Sequence, residues 1–98
     1  MRMWLDDIRP VPDDFDVWAV TADDAIFYIK EGYVTHISFD HDLGEKGGTG
    51  YTVACFIEAC AEDIPDFPHI TYDIHSANPA GRARIESAMQ SAERFWNK

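Results

Sequence analysis

The sequence predicts a small α/β domain with a mainly parallel sheet of about four strands and three helices. Strand-like and helix-like segments alternate along the chain, and prolines and glycines separate them. The chain has 98 residues, of which 46% are hydrophobic, a length and composition suited to one packed core. We therefore expect residues 1–98 to form a single domain.

The predicted strands are short segments rich in β-branched, aromatic and aliphatic residues. They cover residues 2–5, 16–20, 36–39 and 69–74. The segment 8–15 between the first two strands contains two prolines, Pro10 and Pro12, which favour a loop.

Helices are predicted after the second, third and fourth strands. The first covers residues 22–29, where apolar residues recur at helical spacing, with Thr21 as its cap. The second is expected over about 51–62, after a glycine-rich loop. The third begins at Pro79, because Asn78 followed by proline is a strong helix start.

The charge and the apolar pattern exclude several classes of protein. A formal net charge of -10 disfavours a broad nucleic-acid-binding surface, since acidic groups repel phosphates. No apolar run is long enough to cross a membrane, and the early Asp6-Asp7 pair argues against a signal peptide. We expect a cytoplasmic protein in which Cys55 and Cys60 are reduced thiols.

Charged and polar side chains follow three of the four predicted strands at their carboxyl ends. Because the carboxyl ends of parallel strands share one edge of a sheet, we expect these side chains to meet there. They are Asp6, Asp7 and Arg9 after the first strand, Asp40, His41 and Asp42 after the third, and His75, Ser76 and Asn78 after the fourth.

Three of these carboxylates are predicted to bind a metal ion. Asp6, Asp7 and Asp40 would repel one another in a partly buried site unless a cation lay between them or some took up protons. Mg²⁺ prefers oxygen ligands, and Mn²⁺ is close in preference. We therefore expect Mg²⁺ or Mn²⁺, which would stabilise the charge on a phosphoryl oxygen.

The histidines predict acid–base chemistry beside that ion. Histidine is the side chain whose ordinary pKa lies near neutrality, so of His41 and His75 one can accept a proton while the other donates one. Asp42 can orient either imidazole. These three residues are the predicted catalytic groups.

Three further residues are predicted to hold the phosphate of a small ester. Arg9 offers a two-pronged donor, while Ser76 and Asn78 lie at a helix start, where unpaired amides favour anions. Taken singly, each polar residue at this edge also fits a turn, a cap, a core histidine or a surface ion pair. The coincidence of three sets at one edge favours a functional site.

The Asp6-Asp7 pair and Asp40 resemble the receiver domain of two-component signalling, in which an acidic pair and an acceptor aspartate bind Mg²⁺. The chain departs from that pattern, because we find no fifth strand and no lysine after it. The proline-rich segment also replaces the first receiver helix.

A closer resemblance is to the cyclic-phosphate processing receiver domain family of bacteria and phages. It is carried by Leu5-Asp6-Asp7-Ile8-Arg9, by residues 37–44 (ISFDHDLG) and by residues 75–81 (HSANPAG). The resemblance implies a receiver-like, flavodoxin-like sheet whose first and last receiver elements are reduced or missing. It also implies chemistry on a cyclic phosphate.

The residues and the resemblance together predict a metal-assisted phosphoesterase. Its substrate would be a nucleotide or RNA-end 2′,3′-cyclic phosphate, or a cyclic nucleotide signal. Two alternatives stay open. The pocket would bind a cyclic nucleotide without cleaving it, as a sponge, or the chain would be an acidic protein-binding inhibitor with a vestigial pocket. In the last case charge reversal at four acidic residues would abolish function, namely Asp13, Asp14, Asp23 and Asp24.

Overall fold

A computed structural model describes residues 1–98, which form four strands and three helices. The strands are β1 (Arg2–Leu5), β2 (Val17–Ala19), β3 (His36–Phe39) and β4 (Thr71–Ile74). The helices are α1 (Ala22–Lys30), α2 (Gly50–Asp63) and α3 (Pro79–Trp96). All strands are parallel, in the order β2-β1-β3-β4. This is the flavodoxin-like order without a fifth strand, so the predicted fold class is confirmed.

The predicted bounds of several elements were wrong by one or two residues. β2 is one residue shorter at each end than predicted, and α2 is one residue longer at each end. β4 begins at Thr71 because Thr71 pairs with His36, the first residue of β3, so the two residues before it have no strand partner. His69 instead stacks on Trp96, with ring centroids 4.5 Å apart.

Two side chains cap helices as predicted. The Thr21 hydroxyl accepts a hydrogen bond from the Asp24 amide at 3.0 Å at the start of α1. The Asn78 side-chain oxygen accepts one from the Gly81 amide at 3.1 Å at the start of α3. Each cap satisfies an amide that the helix itself leaves without a partner.

All three helices lie on one face of the sheet. The connections β2–α1–β3 and β3–α2–β4 both move across the sheet in the same direction, so right-handed crossovers put both helices on the same side. One core cluster accordingly joins residues of every helix to alternate strand residues, including Met3, Leu5, Ile37 and Phe39. None of the helices combines the length and the apolar character that crossing a membrane requires.

The other face of the sheet carries a thin layer from the proline-rich loop instead of a helix. Trp4 and His36 alternate with the core residues and therefore point to this face. Phe15 from the loop packs on both rings, with centroids 5.3 Å from Trp4 and 6.2 Å from His36. The β1–β2 connection moves across the sheet in the opposite direction, which explains why this loop covers the opposite face.

Candidate functional site

A cleft of about 410 Å³ lies over the carboxyl ends of β1, β3 and β4. Ile8, Gly44 and Ala77 line part of it. The rest of its lining consists of residues predicted from the sequence, namely Asp6, Asp7, Arg9, Asp40, Asp42, Ser76 and Asn78. The two remaining predicted residues, His41 and His75, do not line the cleft, and each is hydrogen-bonded to an aspartate that does.

Hydrogen bonds between neighbouring strands place these side chains at the same edge of the sheet. The first residue after each strand still donates its amide to a neighbouring strand: Asp6 to Ala19, Asp40 to Leu5 and His75 to Phe39, at 2.9–3.1 Å. The chain then turns away from the sheet, so the side chains that follow surround the cleft. The expected convergence of three distant segments is therefore present in the fold.

Asp6 is almost fully buried, with 1% of its surface exposed. Its Oδ1 atom accepts hydrogen bonds from the amides of Ile8 and Arg9, both at 2.8 Å, and its Oδ2 atom accepts one from His75 Nε2 at 3.0 Å. Burial raises the pKa of Asp6, but these hydrogen bonds outweigh burial and hold the pKa below its usual value. Asp6 is therefore an ionised, rigidly held carboxylate beneath the cleft.

The donor atoms around Asp6 fit a hard divalent cation. One donor atom from each of Asp6, Asp40 and His75 lies within 4.8 Å of the others, and the two carboxylates are the available ligands, because both ring nitrogens of His75 have partners within the chain. Asp40 Oδ1 accepts the His41 amide at 2.8 Å, which leaves Oδ2 without a partner in the chain. Asp7 lines the same cleft beside Gly44, where an added Cβ would make a tight contact, 3.2 Å from Asp7 Oδ2. Carboxylate oxygens of this kind suit Mg²⁺ or Mn²⁺.

His75 uses both of its ring nitrogens within the protein. Nδ1 lies 2.8 Å from the Ser38 hydroxyl, and Nε2 lies 3.0 Å from Asp6 Oδ2. Because an ionised carboxylate only accepts hydrogen bonds, the proton lies on Nε2, and Nδ1 accepts from the hydroxyl. Burial lowers the pKa of His75 against the opposing effect of Asp6, which favours this neutral imidazole.

His41 forms a second histidine–aspartate pair with a different pattern. Asp42 Oδ1 lies 3.0 Å from His41 Nδ1, and Asn78 Nδ2 donates to Asp42 Oδ2 at 3.2 Å. The hydrogen bond from His41, with that from Asn78, lowers the pKa of Asp42. Because the ionised carboxylate only accepts hydrogen bonds, Nδ1 is the ring nitrogen that donates to it. The hydrogen bonds of His41 within the chain use only Nδ1, so Nε2 has no partner there. Every fully buried side-chain nitrogen of the protein has a partner, and Nε2 is therefore accessible to solvent.

The predicted phosphate-binding residues differ in how much of each side chain is available. Arg9 is exposed and donates through Nη1 to the His75 carbonyl at 2.9 Å, leaving its other donors toward solvent. Ser76 is 5% exposed, and its hydroxyl accepts the Asn78 amide at 3.1 Å, so its own proton remains to be donated. Asn78 already uses its oxygen as the α3 cap and its nitrogen on Asp42.

Three residues to which the sequence analysis assigned no role also shape this site. Ser38 contacts His75, yet its only signal was a serine between two apolar residues of a buried strand. The ring of Trp4 stacks on His75, with centroids 3.9 Å apart and planes at 2°, and no motif predicted this contact. Gly81 allows His41 to approach α3, since an added Cβ would lie 2.3 Å from His41 Cγ.

A short parallel sheet of flavodoxin-like order, with aspartates after β1 and β3 around one cleft, defines a receiver-like domain. The family model described as cyclic-phosphate processing receiver domain matches residues 1–91 of the chain. The chain therefore belongs to the cyclic-phosphate processing receiver domain family, as its motifs predict, and that family is linked to the processing of cyclic phosphates. A search of curated proteins and a search of solved structures each found no match.

Proposed function

We propose that this chain is a metal-dependent phosphoesterase that hydrolyses a cyclic phosphate. The observation that carries the proposal is the meeting of aspartates, one arginine and a histidine–aspartate pair at one sheet edge. Membership of a family linked to cyclic-phosphate processing supports the same substrate class.

The charge around the cleft supports a role for a cation in substrate binding. Asp6, Asp7, Asp40 and Asp42 line it, against the single guanidinium of Arg9, so a phosphate anion alone would be repelled. Asp6, Asp7 and Asp40 are the residues that would hold Mg²⁺ or Mn²⁺. When bound, such an ion supplies positive charge to a phosphoryl oxygen.

The proton transfers are assigned to His41 in preference to His75. Water adds to phosphorus, the bond from phosphorus to one ring oxygen breaks, and the product is a phosphate monoester. His41 Nε2 takes one proton from the attacking water, and Asp42 stabilises the imidazolium that forms. The leaving oxygen takes up one proton from solvent. The predicted proton transfer by His75 stays a prediction, and its two occupied nitrogens do not favour it.

The remaining polar groups would fix the phosphate. Arg9 has unused guanidinium donors at the cleft, and Ser76 has an unused hydroxyl proton. Asn78 would act through Asp42, since both ends of its amide have partners within the chain. The acidic lining also disfavours the doubly charged monoester more than the singly charged cyclic diester, which favours release of the product.

The test is turnover of a panel of cyclic phosphates with Mg²⁺ or Mn²⁺. The panel contains nucleoside 2′,3′-cyclic phosphates, an RNA with a 2′,3′-cyclic end and 3′,5′-cyclic nucleotides. Asp40→Asn and His41→Ala are expected to lose at least about 100-fold in turnover, while Asp13→Asn, an exposed carboxylate outside the cleft, stays at the wild-type rate. Absence of turnover on the whole panel contradicts the proposal.

One observation favours a second function, the binding of a cyclic nucleotide without cleavage. Neither imidazole lines the cleft, so a ligand held there need not meet a proton acceptor. This alternative predicts saturable binding of a cyclic nucleotide and its recovery intact after prolonged incubation with Mn²⁺. Conversion of the bound ligand to a monoester rules it out.

A further inference from the structure

Ser38, His75 and Asp6 form a continuous chain of hydrogen bonds beneath the cleft. The Ser38 hydroxyl lies 2.8 Å from one ring nitrogen of His75, and the Asp6 carboxylate lies 3.0 Å from the other. The three residues are mostly buried, with 4% of Ser38, 15% of the His75 side chain and 1% of Asp6 exposed. The partners come from β3, the end of β4 and the end of β1.

This chain has the residue types of a serine-hydrolase triad, but not its geometry. Ser38 lies within β3 between two buried core residues and does not line the cleft, so its oxygen cannot reach a substrate. In a triad the serine is exposed and attacks the substrate. Here the only member that lines the cleft is Asp6, at the other end.

Trp4 packs its indole ring on the imidazole of His75. Its ring lies flat against His75, with planes at 2°, and its indole nitrogen donates to the Arg9 carbonyl at 3.0 Å. Trp18 donates to the Asp6 carbonyl at 2.7 Å from the neighbouring strand. The loop that carries Asp6 is therefore tied to the sheet by two indoles as well as by its own amides.

We infer that Ser38 and His75 are positioning residues, which orient the Asp6 carboxylate as a cation ligand and exchange no proton with a substrate. The Asp6 carboxylate sets the tautomer of His75, whose Nε2 donates to one oxygen of Asp6, and the Ser38 hydroxyl donates to Nδ1 and holds the ring in that orientation. That Asp6 oxygen keeps a second lone pair, and a carboxylate oxygen of Asp6 lies within 4.8 Å of one of Asp40. Partners of metal ligands act in this way, by setting the orientation and basicity of the ligand. The inference rests on the proposed function, because it takes Asp6 as a ligand of the cation.

The chain contains a matched control for this network. His36, at the start of β3 on the same face, has its two ring nitrogens bonded to Thr71 and Asp73 at 2.7 and 3.1 Å. Its side chain is 12% exposed, close to the 15% of His75. It therefore has the same types of partner and similar burial, but none of the three residues lines the cleft.

The experiment measures Mn²⁺ affinity of the metal-free full chain by titration calorimetry. His75→Ala is expected to weaken Mn²⁺ binding about 10- to 100-fold, and Ser38→Ala to weaken it in the same direction by less. His75→Gln, whose amide can still donate to Asp6, recovers part of the affinity. His36→Ala binds Mn²⁺ like the wild type.

Several outcomes overturn the inference. Wild-type Mn²⁺ affinity in Ser38→Ala and His75→Gln, with turnover lost, makes His75 a proton-transfer group. An equal loss of affinity in His36→Ala makes the effect one of general stability. If circular dichroism shows that His75→Ala does not fold, the Mn²⁺ affinities of Ser38→Ala and His75→Gln, compared with that of the control His36→Ala, decide the question. Absence of Mn²⁺ binding by the wild type also refutes the inference, whereas binding without turnover of any cyclic phosphate refutes only the proposed function.

Discussion

Replacing Asp40 by asparagine is expected to stabilise the metal-free protein while it weakens cation binding. Ligand atoms of Asp6 and Asp40 lie within 4.8 Å of each other, and neither carboxylate has a cationic side chain bonded to it in the neutral state of His75. Two unit charges at that distance repel by about 0.9 kcal/mol in water and about 3.5 kcal/mol at an effective dielectric of ~20. Asp40 is half-buried, so we expect a gain of about 1 to 2 kcal/mol for Asp40→Asn.

The asparagine keeps the local hydrogen bond, which is why the gain should be visible. Asp40 Oδ1 accepts the His41 amide at 2.8 Å, and an amide oxygen can accept it as well. A gain of this size corresponds to a melting temperature higher by about 4 °C or more in a domain of this length. Asp13→Asn removes the same charge from an exposed loop and should change stability by less than about 0.5 kcal/mol.

The assay is urea unfolding of both variants and the wild type, first with a chelator and then with Mn²⁺. In chelator Asp40→Asn is the most stable of the three. Mn²⁺ at about 100 times its dissociation constant stabilises the wild type by about 2.7 kcal/mol and Asp40→Asn by much less, which reverses the order. A lower stability of Asp40→Asn in chelator, or equal stabilisation of all three by Mn²⁺, refutes the reasoning.

Three further perturbations test the fold and the site. Gly81→Ala places a methyl group 2.3 Å from His41 Cγ and should displace the imidazole, so turnover should fall by about 100-fold. Mn²⁺ affinity, measured by calorimetry, should stay unchanged, and unchanged turnover would argue against His41 as the proton acceptor. Burial raises the pKa of the Cys60 thiol, so at pH 8 it should react with Ellman's reagent more slowly than the less buried Cys55, and both should react equally in urea. Ile57→Ala should cost about 2 to 5 kcal/mol in urea unfolding, because Ile57 is fully buried in the core, and a smaller cost would place the core elsewhere.

The fold could be predicted because each local signal agrees with the others. Alternating strands and helices favour parallel pairing, and the preference for right-handed crossovers limits the topologies that such a chain can adopt. The carboxylates of Asp6 and Asp40 had to meet, since residues that follow neighbouring parallel strands share one edge. The three motifs of the family lie at those same strand ends, which is why the sequence alone identified the family.

The roles of the two imidazoles could not be read from the sequence. His75 directly follows β4, whereas Asp40 separates His41 from β3, and this local difference does not assign a role to either imidazole. Their hydrogen-bond partners do, because His75 meets Ser38 and Asp6, 37 and 69 residues away, whereas His41 meets its neighbour Asp42. Strand register decides which side chains become such partners, and register is a property of the assembled sheet.

The amino-acid sequence by itself determined the element types, the parallel sheet and the gathering of carboxylates at one edge, since periodicity, caps and crossover handedness are local or general rules. Only the tertiary structure decided that the helices cover one face, that a proline-rich loop with Phe15 covers part of the other, and that Trp4 stacks on His75. These features arise where segments distant in the sequence pack together. Such packing depends on the positions of all the neighbouring elements at once, which no local pattern specifies.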